Sequence, residues 1–528
     1  MRTLLNFSGF CLVLMILFLS LAGCTRVGPN FVRPQGTVSN TWLDEDDPRV
    51  NRGQTDYRNW WQAFNDSVLD RLIDRAYREN LSLKIAGLRV IEARAQLGIA
   101  VGELYPQNQQ AFGSLQYNRP SGHAPQAILG SKQGYWQSEI GLSASWELDF
   151  WGKYRRAIES ADASLLATIA DYDAALVSLT GDVASFYILI RTLEKRLTIA
   201  HQNVETQQEN LKIAEARYQF GTASQLDVDQ AQTVLNDTLA SIPTLETQLR
   251  QAKNALSVLL GLPPSRLQDM LEGASEIPAS PPQVVVGIPA DLLRRRPDIR
   301  SAEYQAAAQC ARIGVAKADL YPAFSLIGTF GFLSSDLGPF KLGDMFQWGS
   351  RTIQAGPFVQ WNILNYGRIT NNVRVQDARL EQLLIAYQST VLKAQQEVED
   401  ALVAFLRAQE RAEFLVQSTA AARRSLDLAI LQYREGTRDF TTVLVAQQAL
   451  LNEQDSLAST LGDISRNLVG VYRALGGGWE IREGKELVPP EVTEKMAKRT
   501  NWGKLLAPAS YNPLPPEEPK SLIRLPDW

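Results

Sequence analysis

The chain of 528 residues carries 53 lysine and arginine residues against 57 aspartate and glutamate residues, a formal net charge of −4. This balance excludes a protein that binds nucleic acid through a strongly basic surface. Two histidines, three cysteines and the lack of a Gly-rich phosphate loop leave no spacing for a metal centre, a catalytic triad or a nucleotide site. The sequence therefore predicts neither an enzyme nor a bound cofactor.

The first 23 residues are predicted to be a lipoprotein signal peptide. Arg2 precedes an apolar run from 12 to 21, and Leu21-Ala22-Gly23-Cys24 forms a lipobox in which Cys24 is the lipidation site. Thr25 is not the aspartate that would favour retention in the inner membrane. An ordinary secretory peptide and an uncleaved anchor helix are the alternatives. With Cys24 lipidated, Cys310 has no partner left in the mature chain, which excludes an intramolecular disulfide.

The first half of the mature chain changes from strands to a long helical hairpin. Strands are predicted near 108–118 and over 139–148, where apolar and polar residues alternate. From 153 to 220 only Gly181 interrupts a helix that would be on the order of 100 Å long. A shorter helix returns to about residue 260, and its leucines step by three and four, which is typical of a coiled coil. Pro243 is expected to kink or break this return.

The second half repeats this order after a Pro-rich and Ser-rich linker. Strands are predicted near 323–333 and 352–363, with Phe358 breaking the alternation of the latter. No glycine or proline occurs from 368 to 435, and a returning helix is predicted to about 475.

Three pairs of landmarks hold a nearly constant offset of about 215 residues, which indicates a tandem duplication of one large unit. The pairs are Leu104-Tyr105-Pro106 with Leu320-Tyr321-Pro322, Trp146 with Trp361, and Tyr218-x-x-Gly221-Thr222 with Tyr433-x-x-Gly436-Thr437.

The predicted strands have the length and the two-faced pattern of transmembrane β-strands. Four strands cannot close a barrel without free edges. Either they pair with another sheet or several chains share one barrel, and a soluble sandwich is the alternative to a membrane barrel.

These features together resemble the lipidated branch of the TolC-like outer membrane factors. The resemblance covers most of the mature chain. Apart from the duplication, the residues that carry it are Val27-Gly28-Pro29, Arg33-Pro34, Trp60-Trp61 with Phe64, Leu69 and Leu72, and the run Asp291-Leu292-Leu293-Arg294-Arg295-Arg296-Pro297-Asp298-Ile299.

The resemblance implies a mainly α fold with membrane β, in which three chains share a transmembrane barrel. Each chain gives four strands to a twelve-stranded β-barrel that continues as a long periplasmic α-helical coiled-coil barrel. We therefore expect the lipid-anchored exit duct of a tripartite efflux pump in the outer membrane of a Gram-negative bacterium. Its partners would be a periplasmic adaptor and an inner-membrane transporter of the RND type. The expected units are a lipidated segment (24–59), repeats (60–262 and 290–477), a linker (263–289) and a C-terminal extension (478–528) that is equatorial or poorly ordered.

Turn chemistry is predicted where the long helices end. Gly221 and Gly436 sit where a tight turn needs a positive φ, and Thr222 and Thr437 are placed to cap the returning helices. Either these residues only shape the turns, or they also contact the adaptor, as the resemblance implies.

The resemblance also implies a pore gate at the tips. Asp227, Tyr433 and Arg438 match the family's gate-forming acid, tyrosine and arginine, and a charge-assisted bond from Arg438 to Asp227 in a neighbouring hairpin would hold the aperture shut. Thr442 and Val445 stand where some relatives carry a pair of aspartates. We therefore expect Asp439 to supply the acidic ring.

Two other functions stay open from the sequence. One is a structural or adhesive coiled-coil lipoprotein of the outer membrane without a transport role. The other is a type I protein-secretion duct on the same fold, against which the lipobox and the Arg-rich run count.

Overall fold

The computed structural model describes residues 26–53, 56–119, 121, 123, 134–265, 267–273 and 276–507. The expected signal peptide, Cys24 and the C-terminal extension from residue 508 onwards lie outside these described residues. Ten helices are described: α1 (Ser67–Glu79), α2 (Leu81–Gly102), α3 (Lys153–Gln219), α4 (Gln225–Leu259), α5 (Gln268–Leu271), α6 (Leu292–Arg295), α7 (Pro297–Ala318), α8 (Arg368–Arg434), α9 (Phe440–Ala474) and α10 (Pro490–Arg499). The strands in the same ranges are β1 (Val50–Asn51), β2 (Asn108–Asn118), β3 (Tyr135–Leu148), β4 (Val284–Val285), β5 (Ala323–Ser335) and β6 (Arg351–Gln360).

The helices of the two halves have matching lengths. α2 and α7 each contain 22 residues, α3 and α8 each contain 67, and α4 and α9 each contain 35. Each 67-residue helix follows a glycine with positive φ, Gly152 at 77° and Gly367 at 80°. Because glycine lacks a Cβ, it turns the chain from strand into helix there without strain. The helices are on the order of 100 Å long, as the sequence predicted.

Four strands form an antiparallel sheet in the order β2-β3-β5-β6. β2 and β6 each keep one edge without a partner within the described part of the chain. The predicted strand positions are confirmed, except that β3 begins at Tyr135 rather than at 139 and β6 ends at Gln360 rather than at 363. Trp361 lies beyond it and donates its indole N–H to the Leu320 carbonyl at 3.0 Å, so the chain turns there toward α8.

One face of the sheet is apolar. The strand register brings together rows such as Ala111, Leu142, Phe330 and Ile353, while the opposite face carries mainly polar residues. Tyr117 and Trp136 lie on the apolar face at one end of β3, and Trp146 lies on it at the other end. About ten residues of tilted strand separate Trp136 from Trp146, a height of about 25 Å, which matches the apolar band of an outer-membrane barrel.

The four long helices lie side by side. α4 packs along α3, α9 packs along α8, and α9 also packs along α3, which joins the two hairpins. α3 is the one described helix that is long and apolar enough to cross a membrane, but most of its apolar stretch is buried against its neighbours. α4 continues through Pro243, so the helix is not broken there, and the kink expected at this proline stays a prediction.

The segments outside the repeats pack around the middle of the helices. β1 pairs in parallel with β4 of the linker. At the expected start of the first repeat, the Trp60 ring stacks on Tyr472 of α9 at 5.2 Å. Within the extension, residues 479–482 form a 3-10 turn whose Arg482 binds Asp173 in α3. The second repeat also reaches this carboxylate, through Arg300 at 3.4 Å.

Candidate functional site at the helical tips

Both long helices end in the same glycine-based C-cap. Gly221 has φ +69° and Gly436 has φ +70°, as the sequence predicted. The Gly221 amide donates to the Tyr218 carbonyl at 2.9 Å, and the Thr222 amide donates to the Arg217 carbonyl at 2.8 Å. This pair of bonds is a Schellman motif, and Gly436 and Thr437 repeat it at the second tip.

The expectation that the threonines cap the returning helices is wrong. The Thr222 hydroxyl donates to the Arg217 carbonyl at 3.0 Å, and the Thr437 hydroxyl donates to the Gln432 carbonyl at 3.0 Å. Both hydroxyls therefore close the helix that arrives at the tip. The last carbonyls of a helix have no amide partner within the helix, and each threonine hydroxyl donates to one of these carbonyls.

The returning helices are capped by residues two positions further on. In α4, the Ser224 hydroxyl accepts from the Asp227 amide at 3.3 Å, and the Asp227 carboxylate accepts from the Ser224 amide at 3.1 Å, which is a capping box. In α9, the Asp439 carboxylate accepts from the amide and the hydroxyl of Thr442 at 3.3 and 2.9 Å. Two predicted gate acids are thus also structural caps.

Tyr433 is 4% exposed and lies between the two hairpins. Its ring faces Phe440 at 5.0 Å between centroids, and the Arg217 guanidinium lies 4.5 Å from the ring centroid. Arg217 also donates to the Tyr433 carbonyl. Burial raises the pKa of the Tyr433 hydroxyl, against the opposing charge of Arg217, and the Asp227 carboxylate raises it further.

Arg217 is the site residue that sequence reasoning missed. Its counterpart in the duplication is Gln432, so one tip has a cation where the other has a neutral amide. The two tips also differ at the tyrosines, because Tyr218 is 46% exposed whereas Tyr433 is buried. The difference between Arg217 and Gln432, at matching positions of the two repeats, was the signal in the sequence that could have identified Arg217.

All the predicted tip residues line one open cleft of about 600 Å³ between the hairpins. Its lining residues are Arg217, Gly221, Thr222, Ala223, Ser224, Asp227, Tyr433, Gly436, Thr437, Arg438 and Asp439. Arg438 forms no ion pair with Asp227 among the described residues of this single chain.

Cys310 is buried in α7, and its thiol lies 3.7 Å from the Pro29 carbonyl. Burial raises the pKa of this thiol, which keeps it protonated and unreactive. Cys310 therefore serves the packing of the N-terminal segment on α7.

Residues 72–262 and 288–477 match the family model for outer membrane efflux proteins. The chain is 32% identical to nodulation protein T of Rhizobium leguminosarum bv. viciae over 494 residues, 93% of this chain and 98% of that protein. It is 32% identical to the pyoverdine export outer membrane protein OpmQ of Pseudomonas putida over 476 residues, 89% of this chain and 97% of OpmQ. The solved outer-membrane channel OprN is similar with a TM-score of 0.80 and 31% identity, covering 86% of this chain and 100% of OprN.

Proposed function

Because the chain belongs to the outer membrane efflux protein family, we propose that the tip cleft is the gate of an efflux channel. The predicted fold class, the outer-membrane location and the function as the exit duct of a tripartite efflux pump are confirmed. Channels of this family are trimers that work with an adaptor and an inner-membrane transporter. Three chains supply twelve strands, and neighbouring β2 and β6 edges then satisfy one another.

One observation carries the gate proposal: the predicted gate residues of both hairpins meet in a single cleft. Tyr433 is fixed there by Arg217 and Phe440. In the trimer, Arg438 of one chain donates to Asp227 of the next, and three such bonds hold the aperture closed. Partly exposed tip charges bind weakly when isolated, so a ring of three pairs opens at a moderate energetic cost.

The same cleft supports a contact with the adaptor. Gly221, Thr222, Gly436 and Thr437 form the outermost turns of the two hairpins, where a partner reaches first. An adaptor that binds these turns can pull the hairpins apart and break the bonds between Arg438 and Asp227. The Arg-rich run at 291–299, on which the family resemblance rests, favours a transporter of the RND type.

We further propose that Cys24 carries the lipid anchor. The support is the lipobox Leu21-Ala22-Gly23-Cys24 in the sequence. The cargo is a small toxic molecule that the transporter selects. The names of two relatives that are equally identical refer to nodulation and to pyoverdine export, so family membership does not choose the cargo.

Conductance of the purified trimer in a planar bilayer tests the gate. Wild type should conduct weakly, and Arg438→Gln combined with Asp227→Asn should raise the conductance several-fold. Both substitutions remove charge, while the amide oxygen of the introduced asparagine still accepts the cap bond from Ser224. Arg434→Gln is the matched control, since Arg434 is exposed at the same tip but does not line the cleft. Equal conductance of all three proteins would refute the gate.

A deletion strain tests the efflux function separately. Loss of the protein should lower resistance to at least one antibiotic, metal ion or detergent, and wild type should restore it. If no compound in a broad panel separates the strains, the protein is not an efflux duct under those conditions, whatever its conductance.

A further inference from the structure

The loop between β5 and β6, residues 336–350, folds back over the apolar face of the sheet. Its residues 342–346 pack against both β5 and β3. Three contacts hold it: the Ser334 hydroxyl donates to the Lys341 carbonyl (2.7 Å), the Ser138 hydroxyl donates to the Met345 sulfur (3.2 Å), and the Phe332 and Phe346 rings lie 6.2 Å apart. By the strand register, Ser138, Phe332 and Ser334 belong to the apolar face. The loop therefore lies outside the barrel wall and not across its lumen.

This loop exposes three large aromatic side chains. Phe340, Phe346 and Trp348 are 64%, 74% and 68% exposed. They continue the belt formed on the same face by Tyr117 and Trp136, whose rings lie 5.4 Å apart. Aromatic side chains are enriched where a barrel leaves the apolar core of a membrane. The loop is thus placed at the headgroup level of the outer leaflet.

Two cations flank these aromatic rings. The Arg351 guanidinium lies 4.6 Å from the Trp348 ring centroid and donates to the Trp348 carbonyl at 2.7 Å. Arg351 is the register partner of Phe332, so its side chain belongs to the apolar face of the sheet. Lys341 is exposed on the loop that precedes Arg351.

The two acids of the loop are occupied elsewhere. Asp336 accepts from the Trp136 amide at 2.6 Å, and Asp344 accepts from the Gln347 side chain at 2.8 Å. Neither acid forms an ion pair with Lys341 or Arg351 within the residues described. Both cations are therefore available to a ligand outside the chain.

We propose that loop 336–350 binds the phosphate groups of the phosphorylated glycolipid in the outer leaflet. Lys341 and Arg351 bind the phosphate oxygens, and the rings of Phe346 and Trp348 pack at the boundary between headgroup and acyl chains. Two arguments name this occupant. The site is continuous with the lipid-facing surface of the sheet, and its two cations form no ion pair among the described residues, whereas the headgroup is negative. This site lies at the barrel end of the molecule, so it is independent of the tip gate.

Native mass spectrometry of the purified trimer with defined lipids tests the proposal. Wild type should bind bisphosphorylated lipid A on the order of tenfold more tightly than the dephosphorylated lipid, given the attraction of two cations near an anionic headgroup. Lys341→Gln with Arg351→Gln should abolish this preference. The matched control is Lys495→Gln with Lys498→Gln, which removes two exposed cations from α10 and should keep it.

Several outcomes would overturn the proposal. The first is equal affinity for both lipids, and the second is a preference that survives in the Lys341 and Arg351 variant. Displacement of the lipid by millimolar inorganic phosphate would instead indicate a site for free phosphate. A trimer that still resists heat on gels shows that each variant is folded.

The position of the loop has its own test. A fluorophore on Phe346→Cys should be quenched by brominated lipids in a bilayer, and one on Gln354→Cys, on the polar face of β6, should not. Quenching of the label at 346 only by aqueous iodide would place the loop in the lumen and remove the basis of the proposal.

Discussion

Trp146 donates its indole N–H to the Leu104 carbonyl at 3.1 Å. The same bond recurs in the second half, from Trp361 to Leu320 at 3.0 Å. Two separate landmarks of the duplicated sequence therefore meet in space, and each tryptophan fastens the end of a strand to the turn after α2 or α7. The bonds lie where the sheet meets the helices, so they fix how the barrel continues into the helical tunnel.

Removing these indole donors should loosen that junction. Trp146→Phe with Trp361→Phe keeps an aromatic ring and deletes both bonds, at a cost of about 1 kcal/mol each. We expect the temperature at which the trimer dissociates on gels to fall. Trp136→Phe is the control, because that ring packs on Tyr117 at the opposite end of β3. If the dissociation temperature of the Trp136→Phe trimer falls equally, loss of the two indole hydrogen bonds is not the cause of the decrease.

The long elements were predictable because each has a strong local signal. The run from Arg368 to Glu435 contains no helix breaker, and the alternation from Ile140 to Leu148 fits one lipid-facing surface. The contact of Arg217 with Tyr433 was not predictable. It joins two hairpins through residues that are 216 positions apart in the chain, and no local pattern encodes such a pairing.

The wrong prediction that Thr222 and Thr437 cap the returning helices has a similar cause. Thr222 and Ser224 are both N-cap residue types, and the sequence does not say which of them begins the helix. The Schellman motif determines which residue is the N-cap, because the Thr222 amide donates to the Arg217 carbonyl and Thr222 therefore belongs to the end of α3. The position of loop 336–350 was also not predictable from the sequence, because it depends on contacts with β3, which lies about 200 residues earlier in the chain.

Arg217 should hold the tip closed through Tyr433. Arg217→Gln installs the residue that the other tip uses at this position, Gln432, and it removes the cation from the Tyr433 ring. A cation over an aromatic ring contributes about 0.5–1 kcal/mol at exposed sites, so we expect the bilayer conductance to rise about twofold to fivefold. Lys212→Gln, an exposed position on the same helix, should leave it unchanged. Unchanged conductance in Arg217→Gln would limit Arg217 to a structural role.

Asp173 should be essential for attaching the C-terminal extension. The residue is 0% exposed and binds Arg482 and Arg300. Asp173→Ala removes the buried carboxylate that both guanidinium groups bind, and breaking such a buried ion pair costs about 3–5 kcal/mol. We expect a lower dissociation temperature of the trimer and faster proteolysis between α9 and α10. Asp182→Ala, at a half-exposed ion pair with Arg473, is the control and should change little.

An amide seam between α3 and α9 should set how easily the hairpins separate. Asn203 donates to Gln454 at 3.0 Å, whereas the side chains of Gln207 and Gln447 are each 2% exposed and contain polar atoms without partners in the described chain. Replacing both by leucine removes groups whose desolvation costs about 1–3 kcal/mol each. Gln207→Leu with Gln447→Leu should raise thermal stability and reduce efflux, as seen in higher drug sensitivity. Lower stability would show that water or a neighbouring chain satisfies these amides.

Alkaline pH should open the tip through Tyr433. Burial raises the pKa of its hydroxyl above the ordinary value of 10.0, so the folded tip favours the neutral form. The resulting stability is complete below the ordinary pKa and is lost as the pH rises through the raised one. Wild-type conductance should therefore stay constant to about pH 10 and increase above it. Tyr433→Phe cannot ionise and should not show the increase, while Tyr218→Phe at the exposed counterpart should still show it. An equal rise in all three proteins would assign the opening to other groups.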